Sequence, residues 1–264
     1  APGAGKSTLT SALVDVVRHR GQRVAVLAID PSSPFTGGAI LGDRVRMQQH
    51  ATDDGVFIRS MATRGHLGGL SIAAPQAVRV LAAAGWPWVF VETVGVGQVE
   101  VEVAGNADTT VVVVNPGWGD SVQAAKAGLL EIADVFVINK ADREGARQTH
   151  RDLQRTIDMS DRAGGGWRPP IVDTIATDTS SATSGVDEVW DAISAHRAML
   201  ETSGELAGRR AVRRSDELRR IVLARLEERA RQAATAERWA GVEADVAAGR
   251  IDPWSAADAL LGPP

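Results

Sequence analysis

At 264 residues with 44% hydrophobic side chains, the chain is long enough for one large α/β domain plus an appendage. A formal net charge of −4 and a pI near 5.8 exclude the concentrated positive field of a general nucleic-acid binder. The absence of cysteine excludes a disulfide framework and thiolate metal sites, and the scattered His19, His50, His66, His150 and His196 offer no helical metal-ligand pair.

The chain opens within Ala1-Pro2-Gly3-Ala4-Gly5-Lys6-Ser7-Thr8. A loop of this kind joins a strand to a helix, so a strand, central in the sheet, is expected before Ala1. Ser7 to Arg20 reads as a helix with Leu9, Leu13 and Val16/Val17 on one face and Gly21 as its stop. Arg23 to Ile29 reads as a buried strand ending at Asp30, followed by a Gly-rich loop at Phe35 to Gly42. Val56 to Met61 is a strand, Ser71 to Ala84 a helix, Trp88 to Glu92 a strand, and Thr109 to Val114 another. A helix over Ser121 to Ala133, a strand over Val135 to Ile138 and a polar helix over Arg143 to Met159 follow. Ile171 to Ile175 is the last strand, Thr177 to Ser184 a loop, and Val186 to Leu200 a helix.

Continuous Val/Ile runs between helices predict strands buried on both faces, hence an α/β fold with a mostly parallel sheet flanked by helices. From Glu201 onward no strand pattern appears, and Leu218, Ile221, Val222 and Leu226 share a helical face. Arg209 to Arg231 holds nine arginines against four acids, which reads as a solvated face or as a surface for an anionic partner. A second helical segment, Ala234 to Leu261, is broken at Gly249 to Pro253. The expected organisation is a P-loop domain over 1–200 and a helical extension over 201–264. No run of about 18 apolar residues and no signal peptide is visible, so a cytoplasmic protein with no membrane partner is expected.

Pro2-Gly3-Ala4-Gly5-Lys6-Ser7-Thr8 matches all but the first glycine of G-x-x-x-x-G-K-[ST]. Its backbone N–H groups and the helix N-terminus cradle phosphate oxygens, Lys6 reaches the β/γ-phosphates, and Ser7 offers its hydroxyl to Mg²⁺. Asn139-Lys140-Ala141-Asp142 ends a strand about 130 residues later, at the strand carboxyl end where such sheets bind ligands. The Asp142 carboxylate there can accept from guanine N1–H and the exocyclic amine, a donor pair that adenine lacks. Glu92 ends another strand, with Gly95 three residues on. That strand end carries the acid near Mg²⁺ in most P-loop proteins, and Gly95 would offer its N–H to the γ-phosphate. Gln98 lies three residues past Gly95, too far for a simple match to a water-orienting glutamine, so hydrolysis is expected to be slow. Asp30 and Asp43 could approach Mg²⁺ or serve as loop residues, and Arg44 and Arg46 read as surface cations.

These segments resemble the MeaB/ArgK family of SIMIBI P-loop GTPases, whose human counterpart is the methylmalonic aciduria type A protein. The resemblance rests on PGAGKST, AIDPSSPFTGGAILGDRVRM, ETVGVGQVEVEVAGNAD, VFVINKAD and GRIDPWSAADALL, and covers nearly the whole chain. It implies a GTP/GDP- and Mg²⁺-dependent GTPase chaperone that gates cofactor loading and protects an adenosylcobalamin-dependent acyl-CoA mutase. By position it implies that Gly3, Ala4, Gly5, Lys6, Ser7 and Thr8 bind phosphate. It assigns Asp30, Asp43 and Glu92, with Ser7, to the Mg²⁺-proximal and hydrolysis-linked set. Asn139, Lys140 and Asp142 would bind guanine, and a backbone N–H of Ile175-Ala176-Thr177 would reach its O6, with Ile175 standing where the family usually has serine. Pro116 to Lys126 matches an extra switch, with Trp118 a departure, and the C-terminal helices match a dimerisation arm. A metallochaperone GTPase for nickel would require Cys/His clusters, and none is present. A kinase of a transport-associated binding protein would need a phosphoacceptor and a base. A nucleotide-binding scaffold would not hydrolyse GTP.

Overall fold

The computed structural model describes residues 3–30, 47–62, 67–93, 105–117, 131–159, 166–178 and 180–262. The expected helix over Ser121 to Ala133 lies almost wholly outside the described residues. The chain divides into two units, Ala1–Arg213 and Arg214–Pro264.

In the first unit, α1 (Lys6–His19) buries Leu9, Leu13 and Val17, the stripe its spacing predicts. Arg18 and His19 in its last turn face the negative end of the helix dipole. Gly21, at φ +72°, then closes it as Gln22 N–H returns to the Val17 carbonyl at 3.1 Å. Among the described residues six strands follow: β1 (Val24–Asp30), β2 (Val56–Ala62), β3 (Trp88–Thr93), β4 (Val111–Val114), β5 (Val135–Asn139) and β6 (Ile171–Thr174). All pairings are parallel, in the orders β2-β1-β3 and β4-β5-β6. Between strands run α2 (Leu67–Ala83) and α3 (Ala146–Met159). A single turn, α4 (Ser181–Ser184), and α5 (Val186–Ser203) follow β6.

Strand alternation sorts the core onto two faces. Val24 and Val26 of β1 and Val135 and Val137 of β5 join one cluster with Leu9, Leu13, Val14 and Val17 of α1 and Val189, Trp190 and Ile193 of α5. The intervening residues face the other way. Ala25 and Leu27 pack with Leu81 of α2, and Phe136 and Ile138 pack with Leu153 and Ile157 of α3. Every residue of β5 is buried. A continuous apolar run is therefore what this strand requires, and burying Phe136 alone contributes roughly 2–3 kcal/mol.

Several element ends differ from the sequence expectation. The second helix begins at Leu67 rather than Ser71. The third begins at Ala146 rather than Arg143, because residues 140–145 form a turn and Gly145 sits at φ +89°. The expected loop at Thr177 to Ser184 contains α4. In the C-terminal region, α6 (Glu205–Ala233) is one 29-residue helix. It is followed by α7 (Ala236–Ala247), capped by Thr235, and α8 (Pro253–Leu261), whose Asp252 side chain accepts from the Trp254 and Ser255 N–H groups. None of the described helices is long and apolar enough to cross a membrane.

The strand N-terminal ends are closed by a polar cluster around His196, which is 0% exposed. Its Nδ1 lies 2.9 Å from Thr109 Oγ1 and its Nε2 lies 3.2 Å from the Asp134 carboxylate. Asp134 also accepts from Thr110 N–H at 2.8 Å, while its carbonyl accepts from Trp167 Nε1 at 2.7 Å. Burial pushes the His196 imidazole below its ordinary 6.5. The Asp134 carboxylate opposes that shift, Arg209 reinforces it, and Glu205 and Asp108 oppose it more weakly. The folded state therefore favours neutral imidazole. Its contribution to stability is complete above about pH 6.5 and is lost as pH falls from there through the depressed folded value. Urea unfolding between pH 7.5 and 5 should show that loss, and His196→Gln should flatten it.

Candidate nucleotide-binding site

The residues predicted to form the site that the structure describes lie at the strand carboxyl ends and at the start of α1. Gly3 and Gly5 adopt φ +71° and +86°, conformations that side chains rarely tolerate. The Gly5 N-cap contributes no side-chain oxygen and the first turn of α1 holds no acid. The positive helix end thus opens onto the loop with no acid of its own in the first turn, an arrangement suited to phosphate. Ala4 is wholly buried beneath it.

Glu92, near the end of β3, is 8% exposed, and Ser7 is 9% exposed. The Ser7 hydroxyl donates to the Glu92 carboxylate. Two hard oxygen donors thus meet at the start of α1, and this donor set fits Mg²⁺, which completes its shell with water and phosphate oxygens. Among the described residues no group of three or more His, Asp or Glu side chains could hold a metal alone. Asp30 ends β1, two residues past Ala28, the register partner of Glu92. The Asp30 side chain, together with Asp43, Gly95, Gln98, Trp118 and Lys126, lies outside the described residues.

Asn139 ties the two halves of the site together. Its Nδ2 donates to the Ala4 carbonyl at 2.8 Å, and its Oδ1 accepts from Thr174 Oγ1 at 3.2 Å and Ala176 N–H at 3.1 Å. A Cβ on Gly5 would lie 2.3 Å from Asn139 Nδ2, so the close approach depends on glycine. Lys140 sits at φ +62° and donates from Nζ to the Gly3 carbonyl at 2.7 Å. Ala141 N–H donates to the Thr174 carbonyl at 3.0 Å, which fixes the turn that exposes Asp142.

Ile175-Ala176-Thr177 follows β6 beside this turn. The Ile175 N–H donates to the Ser184 carbonyl at 2.9 Å, and that of Ala176 goes to Asn139. In this arrangement both protons are spent within the protein, and Thr177 is the exposed member. Sequence reasoning missed Thr174 as an Asn139 partner, because a threonine ending a strand carries no motif. It also missed a buried cluster in which Ser11 Oγ lies 2.9 Å from His50 Nε2 and accepts from Gln49 Nε2 at 3.0 Å. Ser11 follows Ser7 by one helical turn, and that spacing was the only available signal.

Comparison with known proteins places these features in context. The family profile described as methylmalonyl Co-A mutase-associated GTPase MeaB matches residues 1–235. A protein of Pyrococcus abyssi is 52% identical over 262 residues, 98% of this chain and 80% of its own length. GTPase ArgK of Escherichia coli is 41% identical over 210 residues, 78% of this chain and 62% of its own. The mitochondrial methylmalonic aciduria type A homolog of Mus musculus is 33% identical over 264 residues, 98% of this chain and 63% of its own. A solved LAO/AO transport system kinase aligns with a TM-score of 0.69 at 26% identity, covering 98% of this chain and 78% of its own.

Replacing Asn139 by alanine would leave the Thr174 hydroxyl, the Ala176 N–H and the Ala4 carbonyl without their shared partner. The nucleotide-free protein should lose about 3 kcal/mol, read by urea unfolding against the unsubstituted chain.

Proposed function

The chain belongs to the MeaB family of GTPases, and from that premise we propose that it chaperones an adenosylcobalamin-dependent acyl-CoA mutase such as methylmalonyl-CoA mutase. GTP hydrolysis is the family activity. The observation that best supports the nucleotide assignment is the Asn139 side chain, bonded at once to the phosphate-loop carbonyl and to the strand end beside the base-reading turn. The mutase reading draws on the family description and on the mouse relative's name.

In this reading the N–H groups of Gly5 to Thr8 and the Lys6 ammonium bind the phosphates, and Asp142 accepts from guanine. Ser7 and Glu92 would hold Mg²⁺ with Asp30 and Asp43, and Mg²⁺ when bound neutralises charge on the phosphate oxygens. Gly95 would contact the γ-phosphate, and its loss on hydrolysis would be relayed through the Pro116 to Lys126 segment to the mutase. Of 175–177, Thr177 is the exposed member, and its N–H is the one this reading assigns to the guanine O6. Turnover is slow without the partner, since no residue immediately after Gly95 orients water.

Residues 201–264 serve as a dimerisation arm in a cytoplasmic homodimer. Its support is the exposed apolar stripe of Leu218, Val222 and Leu226 on α6, 62%, 45% and 52% exposed. If so, Leu218→Glu combined with Leu226→Glu should sediment as a monomer at concentrations where the parent is dimeric.

Asp142→Asn should weaken GTP binding by on the order of 100-fold, as a charged hydrogen-bond acceptor is lost, and should narrow the preference over ATP in calorimetry. An unchanged preference sinks the guanine assignment. Lys6→Ala should abolish single-turnover GTP cleavage. Co-purification from the native host, with mass identification, should recover an acyl-CoA mutase whose association follows the bound nucleotide; recovery of no mutase in any nucleotide state overturns the chaperone reading.

A further inference from the structure

Ile175 stands where the family usually has a serine, yet the loop after β6 is held firmly by other means. Its base is closed by the Ile175 N–H donating to the Ser184 carbonyl at 2.9 Å. Inside that closure, one Asp178 carboxylate oxygen accepts from Ser180 N–H at 2.9 Å and the other from Thr183 Oγ1 at 2.5 Å. Asp178 N–H itself donates to the Ile175 carbonyl at 2.8 Å. The far end is pinned because Gly185, at φ +69°, passes so close to β6 that a Cβ would lie 2.1 Å from the Asp173 carbonyl oxygen. Ser184 Oγ then accepts from Val186 N–H at 3.3 Å as α5 begins. Every hydrogen bond in this set lies within residues 175–186, on the segment whose Ala176 N–H donates to Asn139.

We propose that Asp178 is a positioning residue for guanine recognition, its carboxylate folding residues 175–185 so that Ala176 is presented to Asn139 beside the base-reading turn. The inference rests on the guanine reading given above. The Asp178 carboxylate makes this structure from downstream, by an Asx turn that leads into α4. Thr183 and the Ser180 N–H hold its carboxyl below the usual carboxylate range, so the ionised acceptor persists at neutral pH. Asp178 touches neither phosphate loop nor metal donors among its described partners. Its effect therefore falls on base binding and not on phosphate binding.

Stopped-flow release of a fluorescent GDP analogue, with Mg²⁺ and the full chain, tests this. Asp178→Ala should speed release about tenfold, the loss of roughly one to two net hydrogen bonds. Asp178→Asn, which keeps one acceptor, should fall between that variant and the parent, and Thr183→Val should shift release in the same direction by less. Binding of inorganic tripolyphosphate, which uses the phosphate loop alone, should stay within about twofold of the parent in all three, since no phosphate contact is touched. Unchanged GDP release in a parent that still prefers GTP over ATP overturns the role of Asp178 and leaves the base assignment standing. Equal losses for GDP and tripolyphosphate also overturn it, by showing general collapse of the site. A parent with no preference for GTP over ATP removes the base assignment and this inference with it. Should Asp178→Ala not fold, the Asp178→Asn and Thr183→Val variants carry the same comparison.

Discussion

A single buried carboxamide sets the geometry on which the site depends. Asn139 ends a strand whose every residue is buried, so its backbone has little freedom. Its side chain has one donor group and one acceptor, and both are used. The donor holds the Ala4 carbonyl of the phosphate loop, and the acceptor holds Thr174 and Ala176 at the end of the neighbouring strand. Three segments far apart in sequence are thereby registered to one another within hydrogen-bond tolerance. The sheet brings them close, and the amide fixes the last ångström.

Much of this was legible in the sequence because the relevant physics is local. Val24 to Ile29 and Val135 to Ile138 are uninterrupted apolar runs, which only a strand buried on both faces uses. The Leu9, Leu13, Val17 spacing and the glycine after α1 define that helix and its stop. The glycine-rich loop and the Asn-Lys-Ala-Asp turn carry recognisable chemistry in a few consecutive residues. Helix starts were less legible. Leu67 precedes a glycine pair that argues against a helix, and Arg143 belongs to a turn whose left-handed Lys140 and Gly145 no pattern announces.

What stayed hidden depends on contacts between distant residues. Thr174, Ser11 with His50, and Asp134 with His196 are ordinary polar residues until the fold assembles them. The loop after β6 shows the same limit. A short Ser/Thr-rich stretch reads as unstructured, whereas one aspartate organises it into a turn and a short helix. The polar groups also divide by location. The cluster around His196 closes the amino ends of β4 and β5 and bears on stability, while the Asn139 and Glu92 contacts sit at the opposite strand ends. A change of pH can therefore act on the scaffold at a distance from the nucleotide.

The backbone of Lys140 is left-handed although the residue is not glycine. Such a conformation costs about 1 kcal/mol, which neighbouring contacts must offset. Here the ammonium spans to the Gly3 carbonyl while the next N–H holds the Thr174 carbonyl. The strained residue is thus a strut between the loop before α1 and the end of β6. The cost of the left-handed backbone at Lys140 and the tie its ammonium makes to Gly3 therefore oppose one another: a glycine there would relieve the first and forfeit the second.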